Sequence, residues 1–139
     1  IMDWVPGSHA NTLGANLLAC SSGIATLNYF RKNKIWNNVN SVGEFILKKL
    51  RKLMEESEVY GDVRGIGLMI GNEFVDNKKN KLYNVNFRDK ILYKCKENGL
   101  IVIGAGRSVI RFCPPLIINK KEANEGLRIF EDAIKETNK

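Results

Sequence analysis

The chain has 139 residues, 44% of them hydrophobic and 27% charged, with a formal net charge of +7. That length suits one ordinary domain with a working core, and the composition is that of a globular protein, which excludes disordered and fibrous classes. No apolar run approaches the roughly 18 residues that a membrane span needs, so no membrane partner is expected.

Ile1-Met2-Asp3-Trp4 has neither the basic flank nor the apolar stretch of a signal peptide, and reads as an interior point of a longer chain. The next stretch, Pro6-Gly7-Ser8-His9-Ala10-Asn11-Thr12-Leu13-Gly14-Ala15-Asn16, holds two glycines, a proline, the single histidine and four small hydrogen-bonding side chains, Ser8, Asn11, Thr12 and Asn16. Such a composition suits either a loop that turns sharply and presents donors to a ligand, or a connector in which Asn16 caps the following helix. From there Leu17, Leu18, Cys20, Ile24, Leu27 and Tyr29-Phe30 set a helical period, with Ala19, Ser21, Ser22, Gly23 and Ala25 forming a small-residue face suited to close helix contact. Arg31-Lys32-Asn33-Lys34 ends that helix or bends it. Beyond it Ile35, Val39, Val42, Ile46, Leu50 and Leu53 step by three and four over about five turns, the pattern of a long helix that covers a core with one stripe.

The segment from Val59 to Val75 mixes β-branched and aromatic residues with glycines at 61, 65, 67 and 71. It predicts two short strands joined through Gly65 and Gly67, the second over Leu68–Val75. Its Gly65-Ile66-Gly67 lacks the third glycine and following helix of a dinucleotide fingerprint, and Asp62 and Arg64 are expected to hold a turn. A polar turn over 76–81 leads to a helix marked by Phe87, Ile91, Leu92 and Cys95, capped near Asn84 or Asn86 and stopped at Gly99. Two more strands, Leu100–Ile103 and Val109–Phe112, flank a turn over 104–108, and Pro114-Pro115 ends the second. Asn119 with Glu122 makes a capping-box start for a last helix striped by Ala123, Leu127, Phe130 and Ile134. Helices first, then strands and helices mixed, with tight glycine turns, predict an α+β fold: a small, mostly antiparallel sheet with helices on one face.

The lysines are scattered among acidic residues and no reading element accompanies them, so the basic surface is read as solvated and no nucleic-acid partner is expected. Cys20, Cys95 and Cys113 form no CxxC pair and sit in apolar sequence, which reads as three reduced core thiols in a cytoplasmic protein. One histidine supports neither a His-based triad nor a His-rich metal site, and no metal is expected; His9 is a cofactor contact or an ordinary loop residue. Arg111 stands out in Val109-Ile110-Arg111-Phe112-Cys113. Alternation puts it on one face with Val109 and Cys113, and a guanidinium among apolar neighbours needs a partner. Three arrangements answer that need: an internal ion pair with Glu73 or Asp62, an edge strand with the side chain in water, or a clamp for a ligand carboxylate.

The loop over 6–16, Gly61-Asp62-Val63-Arg64-Gly65-Ile66-Gly67-Leu68-Met69-Ile70-Gly71, and Val109-Ile110-Arg111-Phe112-Cys113-Pro114-Pro115-Leu116 resemble, in order and spacing, the C-terminal part of class III pyridoxal-phosphate aminotransferases. The resemblance covers practically the whole chain and is nearest to the 4-aminobutyrate aminotransferases. It implies a C-terminal piece of a fold-type I transferase: residues 1–33 as an end piece of the large cofactor-binding domain, 34–57 as a linking long helix and 58–139 as the small α+β domain. It implies pyridoxal 5'-phosphate as cofactor, Thr12 as a donor to the phosphate of the cofactor in the other subunit of a homodimer, and Arg111 as the group that binds the substrate carboxylate. Its implied substrates are small amino and oxo acids, with amino transfer from an ω-amino acid such as 4-aminobutyrate to 2-oxoglutarate. The family's Schiff-base lysine, the acidic partner of the pyridinium nitrogen and a glycine-rich phosphate turn are expected upstream of residue 1, in a missing N-terminal half without which the chain is expected to be inactive. The alternative is a catalytically inactive remnant serving as a dimerisation or binding module. Three positions depart from the family pattern: Leu13 stands for Phe or Tyr, Ala15 for Gly and Leu17 for Pro.

Overall fold

The computed structural model describes residues 3–138. The interior start read at Ile1-Met2 and the outermost positions of the first and last expected parts, including Lys139, lie outside the described residues. The chain forms two compact units, residues 1–34 and 35–139.

The first unit is the loop followed by helix α1 (Leu17–Asn33). Asn16 caps α1, its side-chain oxygen accepting from the backbone N–H groups of Leu18 and Ala19 at 3.0 and 3.1 Å. Lys34, in the left-handed region at φ 47°, closes its C-terminal end. No residue of α1 is buried. Cys20 is therefore exposed, against the expectation of a core thiol.

In the second unit, α2 (Ile35–Glu55) precedes an antiparallel hairpin of β1 (Tyr60–Ile66) and β2 (Met69–Phe74). Then come α3 (Val85–Glu97), a second hairpin of β3 (Ile103–Ala105) and β4 (Val109–Phe112), and α4 (Lys120–Thr137). The four strands form one antiparallel sheet in the order β1-β2-β4-β3, with α2 packed on β1, α3 on β2, β3 and β4, and both helices against α4. Their stripes supply the core. Ile35, Val42, Ile46 and Leu50 of α2, Phe87, Ile91 and Cys95 of α3, and Ala123, Leu127, Phe130 and Ile134 of α4 are all buried. Asn84 caps α3, and Asn119 with Glu122 forms the capping box of α4.

On the sheet, Ile70, Asn72 and Phe74 of β2 and Ile110 of β4 are buried beneath the helices. Asn72 is the polar member of that row. The Tyr60 hydroxyl donates to its side-chain oxygen, and its amide donates to the Ile110 carbonyl at 3.0 Å, so both ends of the Asn72 side chain and the Tyr60 hydroxyl are satisfied.

Several details differ from the sequence reading. Gly65 lies inside β1, and the turn is the pair Gly67-Leu68, with Gly67 at φ 57°; a glycine first in a two-residue hairpin turn is what the twist of paired strands favours. Asp62 and Arg64 belong to β1 and hold no turn. The third strand is Ile103–Ala105 and excludes Leu100–Val102, because the turn over 106–108 pairs Ala105 with Val109 and Ile103 with Arg111. Of the cysteines in this unit Cys95 is buried and Cys113 exposed, so one of the three is a core thiol.

Candidate functional site

Arg111 lies on an inner strand, since β4 has β2 on one side and β3 on the other. This removes the edge-strand arrangement. Directly paired residues of an antiparallel sheet point to the same face, and Arg111 is paired with Gly71 of β2 and Ile103 of β3. The buried row through Asn72 and Ile110 faces the helices, so Arg111 projects from the opposite, open face and is exposed. Arg64 is opposite Gly71 from the other side, completing a row Arg64, Gly71, Arg111, Ile103 across all four strands. Exposed apolar residues stand beside it: Ile66 and Met69, paired at the end of the first hairpin, and Ile101 just before β3.

The internal ion pair is also absent. Asp62 and Glu73, the carboxylates expected to meet Arg111, instead share the Arg64 guanidinium, each at 2.5 Å. Hydrogen bonding to Asp62 and then to Glu73 raises the Arg64 pKa further above its ordinary value. The Arg111 guanidinium forms no hydrogen bond or ion pair among the described residues. A guanidinium fork without a protein partner, on a face where the nearest carboxylates are engaged, is equipped to take a carboxylate from outside.

Arg111 also lines a cavity of about 360 Å³ with Ile101, Ile103, Phe112, Cys113 and the two prolines at 114 and 115, closed on the helix side by Ile46, Ala123 and Leu127. The other charged lining residue among those described, Glu122, has its carboxylate bonded back to the Asn119 amide at 3.0 Å. The cavity thus lays an apolar wall beside the strand that carries Arg111, whose side chain projects from the open face.

Thr12 belongs to the first unit. It follows Asn11 in a turn closed by Gly14 N–H donating to the Asn11 carbonyl at 3.4 Å, and the Asn16 N–H donates to the Leu13 carbonyl at 3.2 Å. Thr12 is exposed, and its hydroxyl makes no hydrogen bond among the described residues. The helix end behind it is occupied, because the Asn16 side chain takes the Leu18 and Ala19 amides. Any phosphate held here would be met by the turn, and a free hydroxyl on an exposed turn fits an anionic oxygen as acceptor. Ala15 adopts φ 59°, the left-handed region in which an alanine costs roughly 1–2 kcal/mol and a glycine nothing comparable. The departure from glycine noted at this position is therefore a strained one. His9 stands with its ring 5.2 Å from that of Trp4, a contact within the loop.

Sequence reasoning singled out Arg111 and Thr12 and named Glu73 as a candidate partner of Arg111, but it did not place Gly71 and Arg64 with them on one face. The signal was present in β2, where Met69, Gly71 and Glu73 alternate with the buried Ile70, Asn72 and Phe74.

Comparison with known proteins agrees with this architecture. The family described as Aminotransferase class-III matches residues 1–134. An acetylornithine aminotransferase of Clostridium acetobutylicum is 41% identical over 133 residues, covering 95% of this chain and 32% of that protein. An alanine/serine racemase of Pyrococcus horikoshii is 40% identical over 139 residues, covering 99% of this chain and 29% of that one. Among solved structures, a Bacillus anthracis aminotransferase superposes with a TM-score of 0.86 at 26% identity, over 93% of this chain and 30% of that chain. The chain thus spans about a third of the length of the curated relatives it matches. Family members use pyridoxal phosphate, and the small antiparallel sheet with helices on one face is the C-terminal element of their fold. With the match running over residues 1–134 and the sheet and helices in the same arrangement, the chain belongs to the class III aminotransferase family.

Proposed function

We propose that this chain supplies the substrate-carboxylate clamp and one cofactor-phosphate donor of a pyridoxal-phosphate-dependent aminotransferase. In this reading residues 1–33 are an end piece of the large domain, 34–57 the linking helix and 58–139 the small domain. The rest of the enzyme is supplied by a preceding half and by a second subunit. The observation that carries the reading is the state of Arg111: exposed, on an inner strand, and unpaired while Asp62 and Glu73 are both bound to Arg64.

Arg111 holds the substrate carboxylate and so fixes which end of the substrate approaches the reaction centre. Gly71 beside it adds no side chain of its own to the face, and Val109, Ile103 and Met69 give the bound chain apolar neighbours there. Thr12 donates its hydroxyl to the cofactor phosphate across the subunit boundary. Bound pyridoxal phosphate supplies the electron sink that stabilises negative charge at the substrate carbon. The donor is an ω-amino acid such as 4-aminobutyrate, and 2-oxoglutarate accepts the amino group. A carboxylate remote from the reacting amine is what a clamp on a separate small domain accommodates, and one relative is named an acetylornithine aminotransferase.

In the complete polypeptide, Arg111→Ala should lower kcat/KM for carboxylate substrates about 100-fold, the loss of a charge-assisted bidentate contact, with the cofactor's absorbance retained. An amine donor lacking a carboxylate should be nearly unaffected. Unchanged kinetics with carboxylate substrates would refute the clamp. A second reading is racemisation, favoured by the 40% identity to the alanine/serine racemase. The two part on one assay: a racemase scrambles an enantiopure amino acid with no oxo acid present, whereas the aminotransferase leaves it unchanged until an oxo acid is added.

A further inference from the structure

We infer that Arg64 is a positioning residue for Arg111: by bridging Asp62 and Glu73 it withholds from Arg111 the carboxylate that would otherwise close onto it. The inference rests on the clamp reading for its functional consequence, but the pairing itself is a property of the sheet.

The register makes the competition explicit. Arg64 and Arg111 are both directly opposite Gly71, one from β1 and one from β4. Glu73 lies two residues further along β2 on the same open face, so it is a diagonal neighbour of both arginines. Diagonal neighbours in an antiparallel sheet have Cα atoms roughly 7–8 Å apart, within reach of long side chains. Gly71 itself places no side chain between them, and Val109, opposite Glu73 from β4, is the apolar neighbour that borders the gap on the Arg111 side. Glu73 therefore has two guanidinium groups to choose from.

The neighbour of Glu73 on β1 decides the choice. Asp62 is directly opposite Glu73, and two carboxylates facing each other across a strand pair repel. Arg64 relieves that repulsion by touching both, with the same nitrogen 2.5 Å from Asp62 Oδ2 and 2.5 Å from Glu73 Oε2. Arg111 has no such second partner, because Asp62 lies a full strand beyond Glu73 from β4. Remove Arg64 and Glu73, whose side chain is only 20% exposed, is left facing a like charge with Arg111 as the available cation. The clamp then closes on its own sheet, and a substrate carboxylate must displace Glu73 to enter.

The test reads the reactivity of individual arginines toward phenylglyoxal, an arginine-selective reagent, by mass spectrometry of the chain. In the native chain Arg111 should modify quickly and Arg64 slowly. In Arg64→Met the Arg111 rate should fall roughly threefold, the occupancy that a partly exposed ion pair sustains, and in Arg64→Met with Glu73→Gln it should return to the native rate. An unchanged Arg111 rate in Arg64→Met, or a fall that Glu73→Gln does not reverse, overturns the inference. Glu73→Gln alone keeps it falsifiable if Arg64→Met does not fold: it should speed Arg64 and leave Arg111 as it was, and a faster Arg111 would mean that Glu73 already holds it. In the complete enzyme, Arg64→Met should raise KM for carboxylate substrates about threefold with kcat little changed, and Glu73→Gln should restore it. If Arg111 reactivity shifts while KM does not, the withholding stands and the clamp reading falls.

Discussion

Replacing Gly43 by alanine tests how the helix layer is seated on the sheet. Gly43 is buried inside α2, and a Cβ built there would stand 2.3 Å from the Gly67 carbonyl oxygen, 2.8 Å from its carbonyl carbon and 3.1 Å from its Cα. All three are backbone atoms, so no side-chain rotation relieves the contact. Gly67 is itself fixed, at φ 57° in the two-residue turn between β1 and β2. Either α2 lifts or the turn shifts. Helix propensity alone would favour alanine by about 1 kcal/mol, while forcing an extra carbon into a packed contact costs roughly 1–3 kcal/mol, and the upper end applies where the obstacle is backbone. The net expectation is a loss of about 1–2 kcal/mol, read as a lower urea midpoint at unchanged slope by circular dichroism. Gly126→Ala in α4 is the matched control: its Cβ would meet only the Leu100 Cδ1 at 3.4 Å, an ordinary contact, so the propensity gain should survive and the midpoint should rise. Gly43→Ala at or above native stability would refute the reasoning, because the close seating of α2 on the turn would then not constrain the fold.

Burial pushes the Cys95 thiol up to about 11, from an ordinary value near 9. Folding favours the protonated thiol, so its contribution to stability is fully present below pH 9 and is lost progressively as pH rises through about 11; Cys95→Ala should remove this component of a pH series of urea midpoints. Tyr60→Phe leaves the buried Asn72 oxygen without its donor and should cost roughly 1–3 kcal/mol in the same unfolding assay. Because burial first, and the charge of Asp62 second, hold the Tyr60 hydroxyl well above its ordinary pKa, the native chain should also lose stability as pH rises beyond about 10, a loss absent from Tyr60→Phe.

The parts of this fold that were legible in the sequence are those governed by local period. The stripe from Ile35 to Leu50 and the capping box at Asn119 follow from spacing within one element, and both are found where spacing places them. Strand ends were less legible, because they depend on a partner. Leu100–Val102 has the composition of a strand, yet pairing begins only at Ile103, where the 106–108 turn brings Arg111 opposite. Cysteine burial failed for a related reason: apolar neighbours in sequence say nothing of whether another element covers them, and α1 has no buried residue.

Arg111 shows where the two kinds of information meet. Alternation within Val109–Phe112 correctly put it on the face opposite Ile110, and the sequence supplied Glu73 and Asp62 as candidate partners. What alternation lacks is register between strands. Register places Gly71 between Arg64 and Arg111, and places Asp62 opposite Glu73. With those two pairings fixed, two carboxylates and two guanidinium groups share one face, and one guanidinium bridges both acids. The other is left over. An arginine left unpaired by the arithmetic of its own sheet, beside an apolar cavity, is a stronger mark of a carboxylate site than an arginine among apolar residues in sequence, because its nearest internal alternatives are already spent.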